Sequence, residues 1–269
     1  MKKRAGKYLI FTILVISIFL TACMPTAGEE KQLNGNDELH VAAASALRFV
    51  FEEIGEAFEA EHGSRVIFQF GSSGSLAQQI SGGAPLDLFA SANKFFIESL
   101  VESGDIVAET AATFAVGRIV LAVNMDSQLE IQALEDLVSD QVHYISIANP
   151  SHAPYGQAAR EALENKGLWS SLEDKLVYGE TVFQAMQFVQ TGNAPAGIIA
   201  LSTADAPGIE YFPVDENLHN PLLQIMGVVS QSRKQELAGE FAAFVNGPVG
   251  QEILKKHGFS IPGEGAVAP

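Results

Sequence analysis

Residues 39–62 read LHVAAASALRFVFEEIGEAFEAEH, and this stretch indicates how the chain folds. Residues 39–44 are mostly apolar, as in a buried strand. Gly63 follows a predicted helix over 46–62, and Ser45 lies at the turn between strand and helix. A strand followed directly by a helix is the unit of an α/β fold. The helix prediction depends on apolar residues at helical spacing, namely Leu47, Val50, Phe51, Ile54, Ala57 and Phe58.

The same order of strand and helix continues along the chain. Alternation of this kind predicts mostly parallel sheets flanked by helices, and its length favours two lobes. The further predicted strands cover 65–70, 86–90, 114–123, 142–148, 176–178, 196–201 and 222–230. The further predicted helices cover 75–80, 94–102, 156–166, 182–191, 234–245 and 248–257.

The first 22 residues are typical of a secretory signal peptide. Four basic residues precede the apolar run 8–20, which is too short for a spanning helix of about 20 residues. The run is followed by LTAC, residues 20–23, which resembles the lipoprotein box in which Cys23 receives a lipid. The alternative is a buried cysteine without that role. Residues 23–37 lack apolar periodicity and are predicted to be a lipidated tether.

The charge of the chain excludes one class of partner. The formal net charge is −16, and removal of residues 1–22 would make it four charges more negative. Such a chain lacks the clustered lysine and arginine of a nucleic-acid surface. We therefore expect an exported protein that binds no nucleic acid and is held at a membrane surface by lipid, facing the periplasm or the cell exterior.

The stretch FGSSGSL, residues 70–76, could hold a phosphate, present a nucleophile or cap a helix. It lacks the Gly-Lys of a nucleotide phosphate loop, and Ser75 stands where a nucleophile elbow needs glycine. The six histidines show no metal-ligand spacing, and we interpret His143 and His152 as surface or polar-network residues. No enzymatic activity, catalytic residue or cofactor is therefore predicted, and a helix cap at Ser72 or Ser73 remains.

Small polar turns of this kind recur where predicted strands lead into helices. They include 44–46, 70–75, 149–156 and 179–182, and none contains lysine or arginine. Each helix N-terminus offers free N–H groups and about half a positive charge. Several directed at one point could hold a dianion without a basic side chain.

These stretches resemble the periplasmic molybdate-binding proteins of ABC transporters. Single blocks are weak signals, but together they cover nearly all of 39–262 in family order. The resembling stretches are VAAASAL (41–47), FGSSGSLAQQI (70–80), GAPLDLFASAN (83–93), ANPSHAPYGQAAREAL (148–163), KGLWSSLEDKLVYGETVFQAMQFVQTGNAPAGIIALS (166–202) and FVNGPVGQEILKKHGF (244–259).

The resemblance implies a fold of two α/β lobes that close on a ligand, the type II periplasmic-binding-protein fold. Two strands cross between the lobes, near 118–123 and 222–227. The first lobe would comprise 38–118 and 226–269, and the second lobe 119–225. We expect the protein to be a monomer.

The resemblance also implies which residues contact the oxyanion. Ser45 and Ser73 match serines that donate a hydroxyl and a backbone N–H, while Tyr155 and Val182 match backbone N–H donors. Ala200 stands where some members supply a tyrosine hydroxyl, which leaves the last hydrogen bond open. Molybdenum would thus be held as molybdate through these residues, without direct ligands to a metal cation.

The function implied by the resemblance is capture of molybdate, and of tungstate, for delivery to an ABC-transporter permease. Three alternatives are weighed against it. The first is a receptor for another tetrahedral oxyanion such as sulfate. The second is a serine hydrolase that uses Ser73, which would need a general base close by. The third is a sugar or peptide receptor, which would need aromatic residues in the cleft beyond Tyr155.

Overall fold

The computed structural model of the protein describes residues 38–263, all within one compact unit. The predicted signal peptide 1–22, Cys23 and the tether 23–37 lie outside the described residues. The strands are β1 (Glu38–Ala44), β2 (Arg65–Gly71), β3 (Leu88–Ser91), β4 (Ala112–Gly117), β5 (Ile119–Asn124), β6 (Ile145–Ala148), β7 (Leu176–Gly179), β8 (Ala196–Ala200), β9 (Ile209–Pro213) and β10 (Leu222–Val228). The helices are α1 (Arg48–His62), α2 (Ser73–Ser81), α3 (Lys94–Glu102), α4 (Pro154–Asn165), α5 (Trp169–Leu172), α6 (Val182–Gln190), α7 (Gln235–Asn246) and α8 (Pro248–Lys256).

The strands form two five-stranded sheets, and each sheet with its helices makes one lobe. The first sheet has the order β2-β1-β3-β10-β4, and the second has the order β7-β6-β8-β5-β9. We call the first sheet with α1–α3, α7 and α8 the first lobe, and the second sheet with α4–α6 the second lobe. The two-lobed α/β architecture predicted from the sequence is thus confirmed.

The sequence predicts mostly parallel sheets, whereas the structure has mixed sheets. In each sheet two strand pairs are parallel and two are antiparallel. The parallel pairs are those connected through helices. The antiparallel pairs involve β10 in the first sheet and β5 in the second. Each of these strands enters its sheet directly after the chain has crossed from the other lobe.

The chain passes between the sheets at two places. β4 ends at Gly117 and β5 begins at Ile119, so the single residue Arg118 separates strands of different sheets. The chain returns between Pro213 and Leu222. The single strand predicted over 114–123 is therefore wrong, since Gly117 and Arg118 between two apolar runs give no clear signal of a change of sheet. The lobe boundaries given above stay a prediction.

Buried aromatic side chains pack two helices of the first lobe against each other. Phe51 and Phe58 of α1 meet Phe241 of α7, with ring centroids 6.0 and 5.2 Å apart. All three side chains are fully buried, and each burial stabilises the fold by about 1.5–3 kcal/mol. Among residues 38–263, none of the helices has the length and apolar character needed to cross a membrane.

Candidate functional site

A small cavity lies between the lobes, where turns that follow strands of both sheets meet. Its volume is about 10 Å³, close to the space that one water molecule needs. The four residues expected to contact an oxyanion all line it, although they lie far apart in sequence: Ser45, Ser73, Tyr155 and Val182. The other lining residues are uncharged and mostly small, namely Ala44, Ala46, Gly71, Ser72, Ala92, Ala153 and Pro154.

Ser73 is the first residue of α2 and is fully buried. The helix is capped by Ser72, whose hydroxyl accepts a hydrogen bond from Ser75 N–H. Ser73 Oγ accepts a hydrogen bond from Ala92 N–H at 3.0 Å. A serine hydroxyl can accept and donate at the same time. Ser73 can therefore keep its acceptor bond and still donate its hydrogen to a ligand.

Ser45 lies in the turn between β1 and α1 and is also buried. Its Oγ accepts a hydrogen bond of 3.4 Å from Phe183 N–H, which belongs to the second lobe. The hydroxyl hydrogen of Ser45 can likewise be donated elsewhere. The two serines thus bring two hydroxyl donors to the cavity from the first lobe.

The second lobe brings backbone donors to the same place. Val182 is the first residue of α6, and Tyr155 is the second residue of α4. N–H groups in the first turn of a helix have no acceptor within that helix. Thr181 caps α6 by accepting a hydrogen bond from Gln184 N–H at 3.1 Å, which leaves the N–H of Val182 available to a ligand.

The Tyr155 ring has a different role from its backbone. The ring is buried against the crossing strands, and a Cβ at Gly117 would overlap its hydroxyl. Burial raises the pKa of Tyr155 well above its usual value, although a hydrogen bond from the Gln224 side chain acts in the opposite direction. The phenol is therefore neutral, and its ring connects α4 to both crossings.

The position of Ala200 bears on the open question of the last hydrogen bond. Ala200 ends β8 and is fully buried, and it is not among the described residues that line the cavity. Two residues later, Ser202 Oγ donates a hydrogen bond of 2.7 Å to Ala46 O. This segment of the second lobe therefore contacts the turn of Ser45 through Ser202.

Arg48, which the sequence analysis did not single out, is a basic residue one turn beyond Ser45. Its guanidinium lies over the ring of Phe70 at 4.5 Å and over the ring of Phe183 at 4.8 Å. Phe183 belongs to the second lobe and directly follows Val182. The sequence carries no signal of this arrangement, since the two aromatic residues are far from Arg48 along the chain.

A serine–histidine contact occurs at the edge of the cavity, but it involves Ser72 rather than Ser73. His152 Nδ1 lies 2.9 Å from Ser72 Oγ, and His152 Nε2 lies 3.4 Å from a Glu180 carboxylate oxygen. Ser72 is buried, and its oxygen is already engaged in capping α2. His152 thus belongs to a polar network, as expected.

No cluster of three or more His, Cys, Asp or Glu side chains suited to a metal ion occurs within residues 38–263. The described groups that line the cavity include hydroxyls and the N-termini of α2 and α6, and none of them is charged. Such an arrangement suits a ligand that only accepts hydrogen bonds.

Comparisons with known proteins show which family the chain belongs to. The family model described as "Bacterial extracellular solute-binding protein" matches residues 39–260. The molybdate-binding protein ModA of Azotobacter vinelandii is 33% identical over 228 residues, or 83% of this chain and 90% of that protein. The Bacillus subtilis protein YvgL, named as a candidate ABC transporter substrate-binding lipoprotein, is 29% identical over 94% of this chain and 98% of its own.

A solved structure gives the same result. The periplasmic molybdate-binding protein of Azotobacter vinelandii superimposes with a TM-score of 0.79 at 28% identity. The match covers 83% of this chain and 99% of that one.

Proposed function

Because the chain belongs to the bacterial extracellular solute-binding family, together with the molybdate-binding proteins, we propose that it captures molybdate outside the cytoplasm. Tungstate, which has the same charge and shape, is proposed as a second ligand. The protein would deliver either oxyanion to the permease of an ABC transporter. The relatives named for molybdate binding support this assignment.

The observation that carries the proposal is the convergence of uncharged donors on one buried cavity. Ser45 and Ser73 supply hydroxyl groups from the first lobe, and Tyr155 and Val182 supply backbone N–H groups from the second. A fully ionised tetrahedral dianion only accepts hydrogen bonds, so donors from both lobes can surround it. A protonated phosphate would need an acceptor for its proton.

The size of the cavity bears on selectivity among oxyanions. The cavity of about 10 Å³ is smaller than a tetrahedral oxyanion, so the groups that line it would shift outward locally when one is bound. Sulfate and molybdate share charge and shape, which leaves the distance between donors as the feature that can separate them. A sulfate receptor therefore remains the second candidate.

A binding role explains the serines better than an enzymatic one. Ser73 accepts a hydrogen bond from a backbone N–H, and the nearby histidine contacts Ser72 instead. Glu180, beside that histidine, is mostly exposed and so is a poor orienting group for a triad. We therefore propose a protein without enzymatic activity.

The aromatic content of the cavity disfavours a sugar receptor. Among the described residues that line the cavity, Tyr155 is the only aromatic one, and its ring lies against Gly117 at the crossing between the lobes instead of facing a ligand.

We also propose that the chain acts as a monomer attached to a membrane by lipid at Cys23. The naming of a similar Bacillus subtilis protein as a candidate lipoprotein supports this part of the proposal. Radiolabelled fatty acid would be incorporated by the wild-type chain and not by Cys23→Ala. Equal labelling of the two would contradict the anchor.

The assigned ligand can be tested by titration calorimetry on residues 24–269. We expect sub-micromolar affinity for molybdate and tungstate and no detectable heat with sulfate. Equal affinity for sulfate would overturn the assigned selectivity, and absence of binding to all three would overturn the proposed function.

A further inference from the structure

His152 links the two lobes at the edge of the cavity. It lies in the turn between β6 and α4, directly before the lining residue Ala153. Its backbone oxygen accepts a hydrogen bond from Gly74 N–H at 3.0 Å, and its Nδ1 lies 2.9 Å from Ser72 Oγ. Both partners belong to the first lobe, so one residue of the second lobe makes two polar contacts across the cleft.

Gly74 allows the backbone of His152 to come close to α2. A Cβ at this position would lie 2.9 Å from His152 O, closer than real Cβ atoms come, and 3.0 Å from His152 Cβ, which is a tight contact. Gly74 lies within the first turn of α2, where any residue can adopt the backbone conformation. The glycine is therefore needed for the close passage of the second lobe and not for the local turn.

The donors that the contact uses come from the start of α2. The N–H of Gly74 is one of the first-turn groups without an acceptor in the helix, and it bonds to His152 rather than facing the cavity. Ser72 Oγ caps the helix and also contacts the imidazole. On its other side the imidazole faces Glu180, two residues before Val182. His152 thus connects the turns that carry Ser73 and Val182.

We propose that His152, Ser72 and Gly74 form a clasp that holds the cleft closed and sets the rate at which bound oxyanion leaves. The clasp is defined by the two contacts just described. This inference rests on the proposed function, because it concerns the release of the ligand assigned there. None of the clasp's contacts needs to touch the oxyanion, so His152 is a positioning residue.

The test measures molybdate association and dissociation rates by stopped-flow fluorescence of the single tryptophan, Trp169, or by competition where that signal is small. His152→Ala removes the contact to Ser72, and we expect dissociation to be about five- to tenfold faster, with association changed less than twofold. His152→Asn keeps an amide, which can donate or accept a hydrogen bond, near the position of Nδ1, and we expect it to restore dissociation to within about twofold of the wild type. Gly74→Ala should have the larger effect, because it displaces the whole turn.

Matched controls separate the clasp from general effects. His143 is exposed elsewhere on the second lobe, and Gly239 has open space around its Cβ position. His143→Ala and Gly239→Ala should release molybdate at the wild-type rate. Ser72→Ala also removes a helix cap, so it serves as the reference for the double variant and not as a test by itself. Ser72→Ala combined with His152→Ala should release molybdate no faster than Ser72→Ala alone.

Failure of the clasp and failure of the proposed function give different results. If the wild type binds molybdate but His152→Ala and Gly74→Ala release it at the wild-type rate, the clasp is overturned and the function stands. If the wild type binds no molybdate, the proposed function fails. Small-angle X-ray scattering of the ligand-free proteins then decides on the clasp: a larger radius of gyration for Gly74→Ala than for Gly239→Ala supports it, and equal radii overturn it.

Discussion

At the scale of single residues, each of the two cavity serines can accept a hydrogen bond from the protein and donate one to a ligand. Ser73 Oγ is held by Ala92 N–H and Ser45 Oγ by Phe183 N–H, so each oxygen is fixed in place while its hydrogen can be donated. The Ala92 contact lies within the first lobe, so it fixes Ser73 Oγ before the ligand arrives and lowers the ordering cost of binding. The Phe183 contact of Ser45 crosses the cleft and forms when the lobes meet. Hydroxyl groups also avoid the desolvation penalty that a buried lysine or arginine would bring.

This arrangement predicts what removal of each hydroxyl does. Ser45→Ala and Ser73→Ala should each weaken molybdate binding by about 1.5–3 kcal/mol, the range for a hydrogen bond to a charged group. Calorimetry measures the loss. Ser99→Ala, at an exposed position on α3, is the control and should bind like the wild type. Unchanged affinity in either cavity variant would remove that serine from the site.

Ser73→Ala should also lower stability. The variant leaves the N–H of Ala92, a buried residue, without its hydroxyl partner, and a buried unsatisfied donor costs about 1–3 kcal/mol. Urea unfolding without ligand measures this loss. A stability equal to that of the wild type would show that the Ala92 N–H finds another acceptor.

At the scale of elements, the crossing strands and α4 are fitted to each other through Tyr155. Gly117 ends β4, Gln224 lies in β10, and both meet the tyrosine hydroxyl. Close packing at this point leaves no room for a methyl group, because Tyr155 and Gln224 are both buried. The crossing strands therefore hold the N-terminus of α4 in a fixed position. That N-terminus supplies the backbone N–H of Tyr155 as a proposed donor.

Gly117→Ala should therefore destabilise the fold by about 1–3 kcal/mol, as overpacking of a tight site does. Tyr155→Phe in the same chain removes the overlapping hydroxyl, so the double variant should recover part of the loss. Urea denaturation of the four members of this cycle measures the recovery. Losses that simply add would show that the clash lies elsewhere. Tyr155→Phe alone should keep its affinity for molybdate, because the backbone N–H is unchanged.

The elements also show where sequence reasoning succeeds and where it stops. Apolar spacing located α1 and α3 well. The four residues named through the resemblance to the molybdate-binding proteins all line the cavity. Apolar spacing was less informative elsewhere. It missed β9, which is mostly exposed and ends in Pro213, so that no apolar run marks it. The contacts of Arg48 and His152 could not be predicted, because their partners come from the other lobe and are brought near only by the fold.

At the scale of the whole molecule, the net charge and the proposed ligand have the same sign. The chain carries a formal charge of −16, whereas the cavity lining is uncharged and receives helix N-termini. Local donors act at hydrogen-bond distance, and the field of the surface charges is screened beyond about 10 Å at 0.1 M salt. The repulsion should therefore slow the approach of molybdate more than it weakens the bound state.

This difference predicts how salt affects the two rate constants. Association with molybdate should become faster as sodium chloride is added, by severalfold between about 10 mM and 0.3 M, because screening reduces the long-range repulsion. Dissociation should change little, since the bound ion is enclosed between the lobes. Stopped-flow measurements at several salt concentrations give both rates, and sodium sulfate is avoided because sulfate could compete. An association rate that stayed constant with salt would show that the surface charge does not affect capture. A rate that fell with salt would show that positive potential at the cleft governs the approach, with Arg48 the nearest basic group to Ser45 in sequence.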